Sequence, residues 1–399
     1  MSVLVTPGNL RSALAVTRSL GRRGVAVTIA DERQRSMAGA SRYCRASIRI
    51  PAPAMEPDGF ITEICQAVSR VGHRVVIPTD DVTLCLLAEA RSRFEGLAAF
   101  PFPGIEAIQM AHDKATLGSL AEELDIPTPK TVVINEPADL AKAFDQIGFP
   151  AVVKPRHSRF RCGGEWVHGG RTVYVHTAEE LRAACQAIPF PLIQEYVPGE
   201  GRGVFLLLSR GNLRAAFAHR RIREKPPSGG VSVLSESVAL DPPLVEYSHR
   251  LLEALKWHGV AMVEFKQDAR TMTAKMLEIN GRFWGSLQLA VDAGVDFPYL
   301  LYQLAVEGDV APVFAYQEGV RLRWWLGDLD WLFLRLRDGE QGKSRLGALR
   351  EFLGPSPKRA CGEVFRWDDP APAFEELSGY VGHTLRATAR RLRSRPGYA

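Results

Sequence analysis

The apolar positions of this chain fall into short runs separated by helical stripes. Val3 to Val5 form an apolar triplet, followed by the polar turn "TPGN" and by "LRSALAVTRSLGRRG", whose apolar positions recur at the spacing of one helix face. A second run, "VAVTIAD", ends at Asp31, and "RVVIPTDD" at 74–81 repeats the pattern with the helical stretch "VTLCLLAEARSRF" behind it. Units of strand, loop, helix and strand build open parallel sheets. Roughly the first hundred residues are therefore expected to form an α/β unit whose carboxyl-edge loops, Thr6 to Asn9 and Thr79 to Asp81, bind ligand. The first loop has Gly8 but no GxGxxG, so a nicotinamide or flavin site is not expected there in spite of Asp31.

From Asp113 the texture changes. "DKATLGSLAEELDIPTPKT" predicts a helix capped by Asp113 and stopped by Pro127 and Pro129. "FPAVVKPRHSRF" is a strand with a lysine in it, and "FPLIQEYVPGEGRGVFLLL" reads as two strands joined through a proline and three glycines. "GNLRAAFAHRRIREK" and "VSVLSESVAL" alternate as strands around the loop "KPPSGG". The helix "PPLVEYSHRLLEALKWHG" and the hairpin "VAMVEFKQDARTMTAKMLEIN" follow, with no internal repeat. Residues 309–399 make a third region. Its aromatic stripe, Trp324, Trp325, Trp331 and Phe333, is expected in a core, and "GPSPKRACGE" as a connector. The last stretch carries Arg386, Arg390, Arg391, Arg393 and Arg395 with no acid. It reads as a solvated helix end, with contact to an anionic surface as the alternative.

Composition narrows the class. With 399 residues, 46% hydrophobic and 24% charged, the chain suits two or three packed units, and a net charge of +5 does not call for a nucleic-acid partner. Six scattered cysteines without a CxxC pair argue against zinc and a disulfide framework, and for a reducing, cytoplasmic setting. The first residues do not resemble a signal peptide, and no apolar run approaches the length of a membrane span.

The chemistry concentrates in the last hairpin. In "KMLEINGRFWGS", alternation sends Glu278, Asn280 and Arg282 to one face, which is an expensive surface to bury without partners. Counting back from the turn near "DARTM" sets Glu264 opposite that face. Two carboxylates and an amide converging from adjacent strands suit a hard cation such as Mg²⁺. The competing expectation pairs Glu264 and Glu278 with Lys266 and Lys275 as edge residues. Lys154 ends an apolar strand, where an ammonium needs an anion. Lys114 opens a helix, a position unfavourable to cations unless a phosphate lies there.

These segments together resemble the ATP-grasp ligases. "HDKATLGSLAEELDIPTPKT" and "FPAVVKP" are similar to that family's two phosphate-contacting lysine segments. "LIQEYVPGEG" resembles its adenine-binding strand and hinge, and "VEF" with "LEINGR" its magnesium-binding strands. "NGRFWGSLQLAVDAGVDFP" further resembles the carbamoyl-phosphate-synthase-like and carboxylate-amine ligase branch. The resemblance implies an α/β fold with an α+β ATP-grasp core. A Rossmann-like pre-ATP-grasp domain would span 1–110, an ATP-grasp domain 111–308 with its lid at about 128–195, and a C-terminal helical or mixed extension 309–399. It implies that Lys114 and Lys154 hold phosphates and that Glu195, Tyr196 and Val197 read the adenine. Glu264, Glu278 and Asn280 would bind Mg²⁺ (or Mn²⁺), and Arg282 would stabilise the transferring phosphoryl group, with Lys154 also catalytic.

Two segments depart from the family pattern. The loop after the second lysine, at 156–172, splits its glycines with Trp166 and His168, and the ribose-binding acid is off register, leaving Glu200 as the candidate. On the substrate side, Arg220, Arg221 and Arg223 are expected to clamp a carboxylate or acyl phosphate, with Ser228, Gly229 and Gly230 offering backbone N–H groups. The expected activity is ATP-dependent joining of a small-molecule carboxylate to an amine with release of ADP and phosphate. A kinase on the same fold, or a nucleotide-binding protein without catalysis, is the alternative. The sequence leaves the oligomeric state open, with a homodimer among the options.

Overall fold

The apolar triplet at the amino end becomes an inner strand of a four-stranded parallel sheet. In chain order this part comprises β1 (Ser2–Thr6), α1 (Arg11–Arg22), β2 (Ala26–Asp31), β3 (Cys44–Arg49), α2 (Pro57–Val71), β4 (Val75–Pro78) and α3 (Asp81–Glu89), with strand order β3-β2-β1-β4. The strands β1, β2 and β4 are almost wholly buried, as expected of parallel strands covered by helices. This matches the α/β expectation for the first hundred residues. The edge strand β3 and the helix α2 were not anticipated. The strand "CRASIR" alternates Cys44, Ala46 and Ile48 with Arg45, Ser47 and Arg49, but it is short and largely exposed, with no apolar run to mark it. This computed structural model describes residues 2–136, 138–338, 345–354 and 360–393.

Helices α4 (Ile105–His112) and α5 (Lys114–Glu123) meet at Asp113. Its carboxylate caps α5 by accepting from the Ala115 and Thr116 amides, as predicted, and it is clamped by Arg156 at 2.7 and 2.6 Å. A small unit follows: β5 (Thr131–Val133), α6 (Asp139–Gln146), β6 (Ala151–Pro155), β7 (Arg159–Cys162), β8 (Glu165–His168), β9 (Val173–Val175), α7 (Ala178–Ala187) and β10 (Pro191–Glu195). It forms an antiparallel sheet of order β5-β10-β6-β9 with its own apolar core around Val153, Val175, Leu181 and Ile193. The glycine-split loop is the hairpin β7–β8. Gly163 and Gly164 make its turn at positive φ, and the hairpin rests on the first unit through Arg161 to Glu89 of α3 at 2.9 Å and the Trp166 amide to the Ala54 carbonyl in the turn before α2.

The largest sheet then assembles from β11 (Gly199–Ser209), β12 (Asn212–Lys225), β13 (Val231–Ser237), β14 (Gly259–Asp268) and β15 (Ala274–Asn280), with α8 (Pro242–Ala254) between β13 and β14. Helices α9 (Leu287–Ala293) and α10 (Phe297–Glu307) follow. The remainder adds β16 (Arg321–Arg323), α11 (Trp325–Asp338), α12 (Arg345–Leu353), β17 (Ala360–Gly362) and α13 (Ala371–Arg393). The order is β15-β14-β11-β12-β13-β16-β17, so two strands from beyond residue 309 extend the same sheet. The aromatic expectation needs correction here. Trp331 is buried and Trp324 partly so, but Trp325 and Phe333 are 50% and 57% exposed. A surface helix such as α11 buries only one stripe, and Trp325 is instead stacked on the Arg323 guanidinium at 3.9 Å. Residues 355–359 of the expected connector and Arg395 of the basic tail lie outside the described residues.

One ion pair ties the end of the chain to its beginning. Arg18 and Asp369 are both 1% exposed, with Nε to Oδ2 at 2.9 Å. The Arg18 guanidinium also donates to the carbonyls of Glu363, Val364 and Asp369, while Ser41 Oγ and the Arg42 amide donate to the Asp369 carboxylate. Removing one partner leaves a buried charge unpaired, so Asp369→Ala is expected to lower unfolding free energy by about 3–5 kcal/mol, measured by urea unfolding of the whole chain.

Candidate active site

The hairpin β14–β15 sets Glu264 directly across from Glu278, with Met262 opposite Asn280. A bulge after Glu264 pairs Phe265 with Met276 and skips Leu277. The neighbours Val263, Phe265, Met276 and Ile279 are all buried, which fixes the register and turns the acids away from the core. The edge-pairing alternative fails on geometry. Lys266 lies 3.6 Å from Glu224 and Lys275 pairs with Glu195, so neither lysine neutralises Glu264 or Glu278.

Four elements bring cations to this pair. Lys114, at the start of α5, places Nζ 3.8 Å from Glu278 and 2.9 Å from Ser158 Oγ. Arg221 of β12 donates to both oxygens of Glu264, at 2.8 and 2.5 Å, and reaches Glu224 at 3.0 Å. Arg282 follows β15 and pairs with Asp81 at 3.0 Å, and His112 lies 3.6 Å from the same carboxylate. Lys154 on β6 has no carboxylate within 4 Å among the described residues, and burial pulls its pKa down to about 8 against the pull of Glu278. Burial also acts on both acids. It raises Glu264, helped by the nearby Glu278 and opposed by Arg221, whereas the charges of Lys114, Lys154, Arg221 and Arg282 overcome it at Glu278 and hold that carboxyl low.

These side chains line one cavity of about 690 Å³ together with Glu195, Tyr196, Val197, Gly229 and Gly230. The Glu195 carboxylate itself is engaged by Lys275 and by the Lys130 amide at 2.9 Å. Glu200, Arg220, Arg223 and Ser228 stand apart from it, around a second hollow of about 640 Å³ that shares Arg221 and Lys266 with the first. The expected three-arginine clamp is therefore corrected. Arg223 is buried against Asp328 at 2.5 and 2.7 Å, and Arg220 lies between Glu200 at 3.3 Å and Glu236 at 2.9 Å. Only Arg221 of the three faces the Glu264 pair: alternation turns Arg220 to the other face, and irregularities in β12–β13 pairing after Arg221 rotate Arg223 away.

Several cavity residues escaped the sequence reading. Asp80 and Asp81 lie on the loop already marked as a ligand edge, but their roles as α3 cap and Arg282 partner are tertiary facts. His219 is 1% exposed with Nδ1 3.3 Å from Ser286 Oγ, and burial keeps its pKa far below the usual imidazole value. Its signal was available: His219 and Arg221 are two apart on one strand and share a face. For a divalent cation, Glu264, Glu278 and Asn280 offer hard oxygen donors. Among the described residues no cluster of three His, Cys, Asp or Glu forms a cage. An incomplete donor set of this kind fits Mg²⁺, which keeps waters and substrate phosphates in its shell.

Parts of this chain are similar to known proteins. Residues 188–327 match the family model described as ATP-grasp in the biosynthetic pathway with Ter operon. A D-alanine–D-alanine ligase of Pseudomonas putida (strain GB-1) is 35% identical over 83 residues, 21% of this chain and 24% of that enzyme, so the chain spans about a quarter of that relative's length. An N5-carboxyaminoimidazole synthetase from Staphylococcus aureus complexed with ADP superposes with a TM-score of 0.64 at 17% identity, covering 85% of each chain. An L-amino acid ligase from Bacillus licheniformis gives 0.61 at 18%, covering 78% of this chain and 77% of that one. At these identities the structural likeness speaks for the fold, and the family model speaks for the segment that carries the two acids and the amide. Residues 188–327 are thus similar to an ATP-grasp family, and the chain shares its fold with these solved structures.

Proposed function

We propose that the chain is an ATP- and Mg²⁺-dependent ligase that activates a small-molecule carboxylate as an acyl phosphate and passes it to an amine, releasing ADP and phosphate. The observation that carries this reading is the facing pair Glu264 and Glu278, with Asn280, surrounded in one cavity by Lys114, Lys154, Arg221 and Arg282. An acidic cluster ringed by cations is what a metal–triphosphate complex would complete. The likeness to a D-alanine–D-alanine ligase and to an L-amino acid ligase supports the carboxylate-amine class.

In this reading Lys114 and Lys154 bind the phosphates, and the strand end Glu195 to Val197 borders the adenine. A divalent cation on Glu264, Glu278 and Asn280 would neutralise charge on the transferring phosphate. Arg282, oriented by Asp81, meets charge that develops on the phosphoryl oxygens as the carboxylate attacks. Positioning and fixed charge supply most of the rate in such transfers. Arg221, held by Glu264 and Glu224 at the cavity wall, would present its guanidinium to a substrate anion.

Three outcomes are expected. Glu278→Gln should cut ADP release by at least about a hundredfold, or ~3 kcal/mol of transition-state stabilisation, with the melting temperature near that of the unchanged protein. Unchanged turnover would remove the metal assignment. Hydroxylamine added to a turnover mixture with the acid substrate should yield a hydroxamate; ADP without hydroxamate would point to a kinase. Lys154 is protonated below about pH 8 and loses its charge above it in the free protein. Its contribution to ATP binding is therefore complete below pH 8, and affinity should fall above it by up to about tenfold per pH unit until the pKa of the complex is passed. Equilibrium binding of ATP across pH should show this slope in the unchanged protein and lose it in Lys154→Met.

A further inference from the structure

We infer that the outward face of α13 docks on an anionic phospholipid bilayer. The helix packs inward through Glu376, which accepts from Trp324 Nε1 at 2.6 Å, and through Tyr380, whose hydroxyl donates to Asp330 at 2.5 Å. Facing away are Phe374, Leu377 and Val381, which are 68%, 46% and 47% exposed. Their spacing of three and four residues makes a single apolar stripe along the helix. Trp367, seven residues before Phe374, is 90% exposed.

Charge identifies the partner. After Glu376 the sequence contains no acid, and Arg386, Arg390, Arg391 and Arg393 fall on the same helix as the stripe. An apolar stripe continued by a basic run is the pattern of a helix that lies in a membrane interface, where arginines meet lipid phosphates and the stripe enters the acyl boundary. A nucleic acid would satisfy the arginines but offers the stripe nothing. A second copy of the chain is poorly matched too. Asp368, Asp369 and Glu376 near the start of α13 are already engaged by Arg22, Arg18 and Trp324, which leaves Glu375 to face four arginines. Among the described residues no helix is long and apolar enough to cross a membrane, so the contact is one of surface docking.

The test is flotation of the full chain with vesicles of phosphatidylglycerol and phosphatidylcholine, beside pure phosphatidylcholine vesicles. Binding is expected to the anionic vesicles only and to weaken with added salt. Phe374→Glu with Val381→Glu should abolish it, and each of Arg386→Gln and Arg390→Gln should weaken partitioning about fivefold. Phe374 and Val381 are exposed, and an unchanged melting temperature shows that the variants remain folded. The proposal is overturned by absence of binding to anionic vesicles at low salt, or by binding that survives the apolar double variant. It is equally overturned by a duplex oligonucleotide that binds in competition with the vesicles and ignores that variant. A dimer in light scattering that the double variant dissolves would assign the face to a second copy and overturn it as well.

Discussion

The placement of two carboxylates on neighbouring strands, Glu264 across from Glu278, is the constraint around which this molecule is built. Like charges directly opposite on a sheet destabilise it. The flanking residues Val263, Phe265, Met276 and Ile279 are buried and forbid a change of register that would move the acids to water. The repulsion is met instead by cations from distant segments: Lys114 from α5, Lys154 from β6, Arg221 from β12 and Arg282 after β15. The cavity exists because those four elements must converge on one pair of acids.

Several contacts outside the cavity hold that convergence. Asp113 caps α5 and is clamped by Arg156, which fixes the helix that presents Lys114 against the small antiparallel sheet that presents Lys154. Asp81 orients Arg282 from the first sheet. The region after residue 309 belongs to the same construction, since β16 and β17 extend the sheet that carries Arg221, and Arg223 is anchored by Asp328 of α11. The Arg18 and Asp369 pair closes the circuit by joining the last described segment to α1. Buried pairs of this kind add little net stability over apolar packing, but they penalise any arrangement that separates the partners.

Much of this was legible in the sequence, for reasons that can be traced to particular residues. The run Val3 to Val5, the alternation of "VEF" and "LEIN", and the Asp113 cap each depend on neighbours within a few positions. Local periodicity reports such features directly. The strand β3 was missed because, at an exposed edge, its short alternation of Cys44, Ala46 and Ile48 with polar residues comes without the apolar run that marks a buried strand. Arg220 and Arg223 were assigned to the substrate side because the sequence shows three arginines in four positions but not the acids that neutralise them. Glu236, Asp328 and Glu200 lie 16, 105 and 20 residues away.

The sequence by itself determined the chemistry: two acids, an amide and four cations, on elements whose local pattern fixes which way each side chain points. Tertiary structure alone decided which charges meet. It gave Arg221 rather than Arg220 or Arg223 to Glu264, and gave Lys275 to Glu195. It also left Lys154 without a carboxylate among the described residues, its pKa lowered by burial. The physical reason is range. Side-chain direction is set by backbone geometry over two to four residues, whereas charge pairing is set by distance in space between segments that only the packed core brings together.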